Sequence, residues 1–415
     1  MRKKFLTDFV FIQAINLLIK PIWILVIDRN VQNLLPHNEY GTYFSLTGFS
    51  LLFMIVLDLG LTNYNNREVS LNREFYKANF WSIISAKSTL SILFFVLAFT
   101  IGYAIGFTPN DLLIFGLLAI NQTILSFNTY LRSNISAIHQ FKVDGMLSVI
   151  DRLFVVLSLS AILWISVCPI KLSLYAFILA QTAGLLLTFA LSWIATIFYL
   201  GKANFIIDRQ KIYALIKRAL PFASIIALMT LFTRLDAVLI LTLLPQGRME
   251  ASNYAMCYRL LDAAAIIGTL LAGQLLPLFA ANLNNRPKLK SLVKWSSFGV
   301  LIPAVGATLI CSLTGNSIME SLYPEKFTPA IGIVFSILIW GIPGMVLVNI
   351  FGTLLTAAGQ IKKINQIALI TCAINIIGNI LLINRFGLIG VAITAVITQL
   401  FFGIACYRMA KYSYT

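Results

Sequence analysis

Two cations sit in this chain where an apolar run should hold none. Lys20 lies deep in the first long apolar stretch, beside Asn16 and Pro21, and Arg234 lies with Asp236 near the middle of a later one. A charge at membrane depth costs roughly 2.5–3.5 kcal/mol on insertion scales, so it normally faces a protein interior or a wet cavity. Cations placed there serve either an anionic cargo or a structural ion pair. Lys20 cannot easily snorkel to either interface from mid-helix, and Pro21 beside it can kink the helix. Arg234 can bind a phosphate bidentately. Asp236, two positions on, points to a different helix face and is not expected to pair with it.

Other polar residues in the apolar runs leave two readings open. Arg259 and Asp262 are three apart on one helical face, which predicts an intrahelical ion pair; a gating or proton-coupling role for Asp262 is the alternative. Asp58 is expected to cap the turn before Asn63, or to pair with Arg67 or Lys87. Asn121 and Gln122 belong to a polar series with Ser126, Asn128 and Tyr130. Asn375 and Asn379 form an i, i+4 pair. Either amide set can bind sugar hydroxyls or another helix. All six glutamates fall in loops, so carboxylate coupling at depth has to use aspartate.

Enzymatic signatures are missing. The five cysteines (Cys168, Cys257, Cys311, Cys372, Cys406) are isolated and read as packing residues, with no metal or disulfide spacing. His37 and His139 are far apart in predicted loops. There is no Asp-x-Asp and no nucleotide-binding loop, so neither a cofactor nor direct ATP use is expected.

The elements that must position these residues are transmembrane helices. Of 415 residues 59% are hydrophobic and only 11% charged, against about 25% charged in soluble proteins. Repeated apolar stretches of about 20 residues suit a bilayer core of about 30 Å, and a helix satisfies its backbone within its own segment. The reading is an all-α polytopic membrane protein. Twelve spans are predicted, at 6–27, 41–62, 81–106, 112–132, 148–168, 172–199, 220–244, 253–281, 295–315, 330–357, 365–383 and 388–408. Met1-Arg-Lys-Lys4 looks like the start of a signal peptide. The run after it carries Asp8, Gln13, Asn16 and Lys20 and no cleavage site, so it reads as an uncleaved first helix.

Basic residues alternate between loops. One side holds Arg2–Lys4, Arg67, Arg73, Lys77, Arg132, Lys142, Arg152, Lys202, Arg209, Lys211, Lys217, Arg218, Arg286, Lys288, Lys290, Lys294, Lys362, Lys363, Arg408 and Lys411; the other holds Arg29, Lys171, Arg248, Lys326 and Arg385. The positive-inside rule puts both termini in the cytoplasm. The net charge of +16 then reads as contact with anionic membrane lipids, and no nucleic-acid partner is expected. Residues 201–219 mix Phe205, Ile206, Ile207, Ile212, Leu215 and Ile216 with Arg209, Lys211, Lys217 and Arg218, which suggests an amphipathic linker on the cytoplasmic surface. It separates an N-terminal half, 1–200, from a C-terminal half, 220–415, with six spans each. A weak repeat accompanies the split. Val26-Ile-Asp28, Leu34-Leu-Pro36 and Tyr40 have counterparts in Arg234-Leu-Asp236, Leu243-Leu-Pro245 and Tyr254 with Tyr258. Such repeats mark transporters.

Three passages carry a family resemblance. The first runs from Leu35-Pro36 through Glu39-Tyr40-Gly41 to Leu57-Asp58-Leu59-Gly60-Leu61 and Arg67. The second runs from Leu220-Pro221-Phe222 through Arg234-Leu-Asp236 to Tyr254-Ala255 and Pro277. The third comprises Glu320-Ser-Leu-Tyr323, Ala358-Gly359-Gln360 with Lys362, and Asn384-Arg385-Phe386-Gly387-Leu388-Ile389-Gly390-Val391-Ala392. Together and in order they resemble the multidrug/oligosaccharidyl-lipid/polysaccharide (MOP) exporter superfamily, in particular its O-antigen repeat-unit flippase branch (Wzx). In that family an E-Y-G turn opens helix two and a D-L-G-L ends it. The passage into helix twelve is similar too, with Asn384-Arg385 in place of the family's proline.

The resemblance implies two six-helix lobes around a central cavity. It implies an undecaprenyl-pyrophosphate-linked oligosaccharide as cargo, flipped by alternating access from the cytoplasmic to the outer leaflet of a bacterial inner membrane. Polysaccharide polymerase machinery is an implied partner. On this reading Lys20 and Arg234 are cavity cations for the pyrophosphate. Asp236, Arg259, Asp262 and Asp58 are gating or coupling candidates, and Asn121, Gln122, Asn375 and Asn379 are candidate glycan contacts. A drug/cation antiporter of the same superfamily is the alternative, although it would favour acidic rather than cationic cavity charges. A membrane polysaccharide-modifying enzyme is a third reading, with nothing catalytic in the chain to support it.

Overall fold

A computed structural model describes residues 15–164, 171–205 and 209–414. Arg2, Lys3, Lys4, Asp8, Gln13, Cys168, Pro169, Ile206 and Ile207 therefore lie outside the described residues, as do the side chains of Arg209, Pro221, Phe222 and Pro277. The described residues form helices and no strand. In chain order these are α1 (15–34), α2 (His37–Leu52), α3 (Leu61–Leu71), α4 (Glu74–Ala104), α5 (Pro109–Ala137), α6 (Phe141–Trp164) and α7 (Leu174–Leu200). Then follow α8 (Arg209–Leu243), α9 (Gly247–Asn282), α10 (Arg286–Leu313), α11 (Gly315–Leu322), α12 (Pro329–Ala357), α13 (Ile361–Phe386) and α14 (Leu388–Tyr414). Eight stretches of the described residues are long and apolar enough to cross a bilayer, the last of them, Ile361–Lys411, running through both α13 and α14. The chain is thus an all-α, multi-pass membrane protein.

Local chemistry sets the boundaries. Thr108 and Asp111 form a reciprocal capping box, with Pro109 in the first turn of α5. Ser173 caps α7 through the Ala176 N–H, and Asn285 caps α10 through the Lys288 N–H. Gly387, at φ +55°, closes α13 and admits the turn into α14.

Three expected helices are not regular. α1 continues to Leu34, beyond the predicted end at 27, and relaxes into a π turn at Trp23–Asp28. Pro21 lies just before it, and a proline removes one N–H from the ladder and pushes aside the carbonyl four residues back. The second predicted span, 41–62, is broken: α2 ends at Leu52, and the chain passes through turns to Leu59 (φ +44°) and Gly60 (φ +80°) before α3 begins. The tenth is interrupted at Ile339–Trp340 and by a π turn at Val348–Gly352. The expected surface linker also differs. From 209 onward it is the first part of α8 rather than a separate helix. Its Leu215 and Ala219 are buried in an aromatic cluster with Tyr76, Phe80 and Tyr130, because the apolar face meets protein rather than headgroups.

The contacts divide the chain into two compact units: 1–27 with 46–227, and 28–45 with 228–415. The division falls inside α1, α2 and α8. Residues 28–45 therefore group with the C-terminal helices.

Candidate functional site

In the first unit the broken helix two is repaired by side chains. The break leaves the Leu57 carbonyl without a helical donor, and it accepts from Ser126 Oγ at 3.2 Å and Lys87 Nζ at 3.4 Å. Buried backbone groups in a membrane need such partners. Asp58 accepts from the Thr62 N–H at 3.2 Å, from the Thr62 hydroxyl, and from Lys87 Nζ at 2.6 Å. Lys87 has no exposed side-chain surface. Asp58 therefore caps the restart of the helix and neutralises a buried lysine. Of the partners the sequence allowed, Lys87 is the one taken; Arg67 contacts Glu68 instead.

Lys20 stands differently. It is half-buried, and no carboxylate lies within ion-pair distance of it among the described residues. Arg132, Arg152 and Asp151 act on it electrostatically. Of these, Arg132 bonds to Asp144 at 2.8 Å. Arg152 contacts Asp151 at 3.5 Å and lies over the Trp23 ring at 5.2 Å. Trp23 itself stacks on Phe177. Three cations thus share two aspartates, and Lys20 is the one left over. Arg132 and Arg152 were counted as loop charges from sequence, so this grouping was missed.

Asn121 accepts from Thr182 Oγ1 of α7 at 2.7 Å. Its Nδ2, and Gln122 Oε1, are buried without hydrogen-bond partners among the described residues.

The second unit holds a chain of alternating charges. Asp28 of the π turn accepts from Arg259 Nε at 2.6 Å and from the Tyr40 hydroxyl at 2.9 Å. Arg259 Nη1 lies 3.4 Å from Asp262, and Asp262 Oδ1 is 3.2 Å from Arg234 Nη2. The expected i, i+3 pair of Arg259 and Asp262 is present, but it is the middle of a quartet rather than an isolated pair. Arg234 is therefore not a free cation: it is neutralised by Asp262, with its guanidinium 5.6 Å from the Tyr258 ring. Its side chain keeps 29% exposure, the most open of the four.

Asp236 belongs to a second, separate network. It accepts from Asn379 at 2.8 Å, Asn375 at 3.3 Å and the Tyr254 hydroxyl at 3.1 Å. All three partners are buried, and no cation pairs with this carboxylate among the described residues. Of the two readings left open for Asn375 and Asn379, sugar hydroxyls or another helix, the described structure holds the second: their donors go to Asp236, because a buried carboxylate without a cation needs strong local donors.

The repeat noted in the sequence has a physical counterpart. Asp28 on α1 binds Tyr40 on α2, and Asp236 on α8 binds Tyr254 on α9. Each helical hairpin is closed by an aspartate–tyrosine bond. No cluster of His, Cys, Asp and Glu suited to a metal ion occurs among the described residues.

The fold is similar to that of several solved membrane proteins. Lipid II flippase MurJ in its inward closed conformation superposes with a TM-score of 0.72 at 16% identity, covering 98% of this chain and 87% of that one. A mutant of the Vibrio cholerae MATE transporter VcmN gives 0.69 at 12% identity, over 99% and 96%. An inward-facing multidrug resistance MATE family transporter gives 0.63 at 14%, over 97% of each chain. No curated protein sequence matches the chain. Residues 9–283 match the polysaccharide biosynthesis protein family, and the chain belongs to that family.

Proposed function

We propose that the protein flips an undecaprenyl-pyrophosphate-linked oligosaccharide repeat unit from the cytoplasmic to the outer leaflet of a bacterial inner membrane. The observation that carries this reading is the combination of a polysaccharide biosynthesis family with a transporter fold. The similarity to a lipid II flippase supports a lipid-linked cargo, and O-antigen is the destination we favour. Lys20 is the cation that meets the pyrophosphate, since no carboxylate among the described residues pairs with it directly. Arg234 reaches the cargo only by leaving Asp262, so Asp262 is an internal competitor for the phosphate. Asp236 is the coupling group, and both termini are cytoplasmic.

The test is translocation of the lipid-linked glycan in proteoliposomes, with protein amount matched. Lys20→Ala is expected to lower transport at least tenfold, and Lys20→Arg to retain most of it. Asp262→Asn, which frees Arg234, is expected to tighten cargo binding. Unchanged transport by Lys20→Ala would remove the cationic site from the mechanism.

A second reading is cation-coupled drug export, which the MATE neighbours and the buried Asp236 favour. It requires extrusion of cationic dyes by the purified protein, and Asp236→Asn would then abolish that extrusion.

A further inference from the structure

A groove of about 470 Å³ opens on the second unit between α10, α12 and α14. That volume falls in the range of sites for small amphipathic ligands. One wall is a single stripe of α10: Lys290, Val293, Lys294, Ser297, Leu301 and Ile302. The stripe follows the three-and-four spacing of one helix face. The opposite wall is apolar. Leu347 precedes the π turn of α12 and Phe351 lies within it, and Phe351 meets Tyr407 of α14 edge-on at 4.9 Å between ring centroids.

Polarity along the groove is one-directional. Both lysines lie in the first turns of α10 and are exposed, with no ion-pair partner among the described residues. Beyond them the lining is almost wholly apolar as far as Ile302. The twelve steps from Lys290 to Ile302 rise about 18 Å at 1.5 Å each. That is roughly the depth of one leaflet in a bilayer core of about 30 Å. The lysines belong to the basic loop that the positive-inside rule puts in the cytoplasm, where the leaflet carries anionic headgroups. Protein leaves α10 largely bare: only 6% of its most apolar window is buried.

We propose that this groove binds an anionic glycerophospholipid of the cytoplasmic leaflet. Lys290 and Lys294, one turn apart, hold the headgroup phosphate, and one acyl chain lies along Leu301 and Ile302 to Phe351. A groove one leaflet deep suits an acyl chain rather than a much longer polyprenyl tail, so the occupant is a phospholipid and not the carrier. The site is independent of the cargo reading above.

Native mass spectrometry of the full chain released from detergent tests this. The probes are phosphatidylglycerol and phosphatidylcholine with identical acyl chains. The wild type is expected to retain one phosphatidylglycerol at least fivefold more than phosphatidylcholine. Lys290→Gln with Lys294→Gln should abolish that preference, and Leu301→Trp should lower retention of both lipids by filling the groove. Lys362→Gln with Lys363→Gln removes the same charge from another cytoplasmic loop and should leave the preference intact. Equal retention of the two lipids by the wild type would overturn the proposal, as would equal losses in the two double variants. Displacement of the bound phosphatidylglycerol by equimolar undecaprenyl phosphate would overturn the choice of occupant.

Discussion

At the scale of single residues, the charges that matter most for stability are paired across helices. Lys87 with Asp58, and Arg259 with Asp28, each join one fully buried partner to one partly exposed one. Removing one partner of such a pair strands the other and typically costs about 3–5 kcal/mol, whereas removing both is often neutral. Lys87→Met is therefore expected to lower the melting temperature in detergent sharply. Adding Asp58→Asn should recover most of the loss, since asparagine still caps Thr62; no recovery would show that the pair is not what holds the break in helix two. The sequence made part of this visible. Helical spacing places Arg259 beside Asp262 and Asn375 beside Asn379. It contains nothing that brings Asp28 to Arg259 or the two asparagines to Asp236, because those partners come from other helices. For the same reason Lys87 stood only as one choice for Asp58, and its complete burial was not legible.

The elements show why the recognisable motifs are spelled as they are. In Glu39-Tyr40-Gly41, Tyr40 holds Asp28 and Arg259, while Gly41 lets α2 touch the start of α9. A Cβ there would lie 1.7 Å from the Arg248 carbonyl oxygen. Overpacking generally costs about 1–3 kcal/mol, and a rigid backbone on both sides puts Gly41→Ala at the upper end or beyond. Size-exclusion chromatography of a fluorescent fusion should show most of this variant aggregated; a monodisperse peak of normal height would mean that α9 can move away. In Leu57-Asp58-Leu59-Gly60, the left-handed Gly60 turns the chain into α3 and Asp58 caps its first turn. Gly60→Ala should cost about 1–2 kcal/mol through φ alone, read as a lower melting temperature. Hydropathy marks where apolar runs lie, but it is blind to breaks within them. The π turn after Pro21 and the interruption of α12 arise from local backbone geometry, which a run of apolar letters does not record.

For the whole molecule, charge and hydropathy were enough to give the class. A chain with 11% charged residues and alternating basic loops has little choice but to cross a membrane many times. The arrangement into units was less legible. Residues 28–45 join the C-terminal helices, and the 201–219 segment mixes apolar and basic residues equally well for a headgroup layer or a protein groove. The topology has a direct check. Reporter fusions after Lys202 and at the C-terminus should be active in the cytoplasm and silent outside, and a fusion after Lys326 should show the reverse. An active external reporter at the C-terminus would invert the orientation argued from the lysines and arginines.

The solitary carboxylate of Asp236 has an electrical consequence. Within the spans of the second unit, Asp28 and Asp262 cancel Arg234 and Arg259. A rearrangement of those four side chains moves no net charge through the membrane field. Asp236 adds one negative charge unless a proton or a cation occupies it. Each elementary charge carried across the field is worth about 2.3 kcal/mol per 100 mV. The occupancy of one side chain would thus decide whether resetting the empty protein is driven by voltage or ignores it. Charge-displacement currents from proteoliposomes on a solid support should differ between the wild type and Asp236→Asn, and identical currents would mean that the carboxylate never moves through the field while charged.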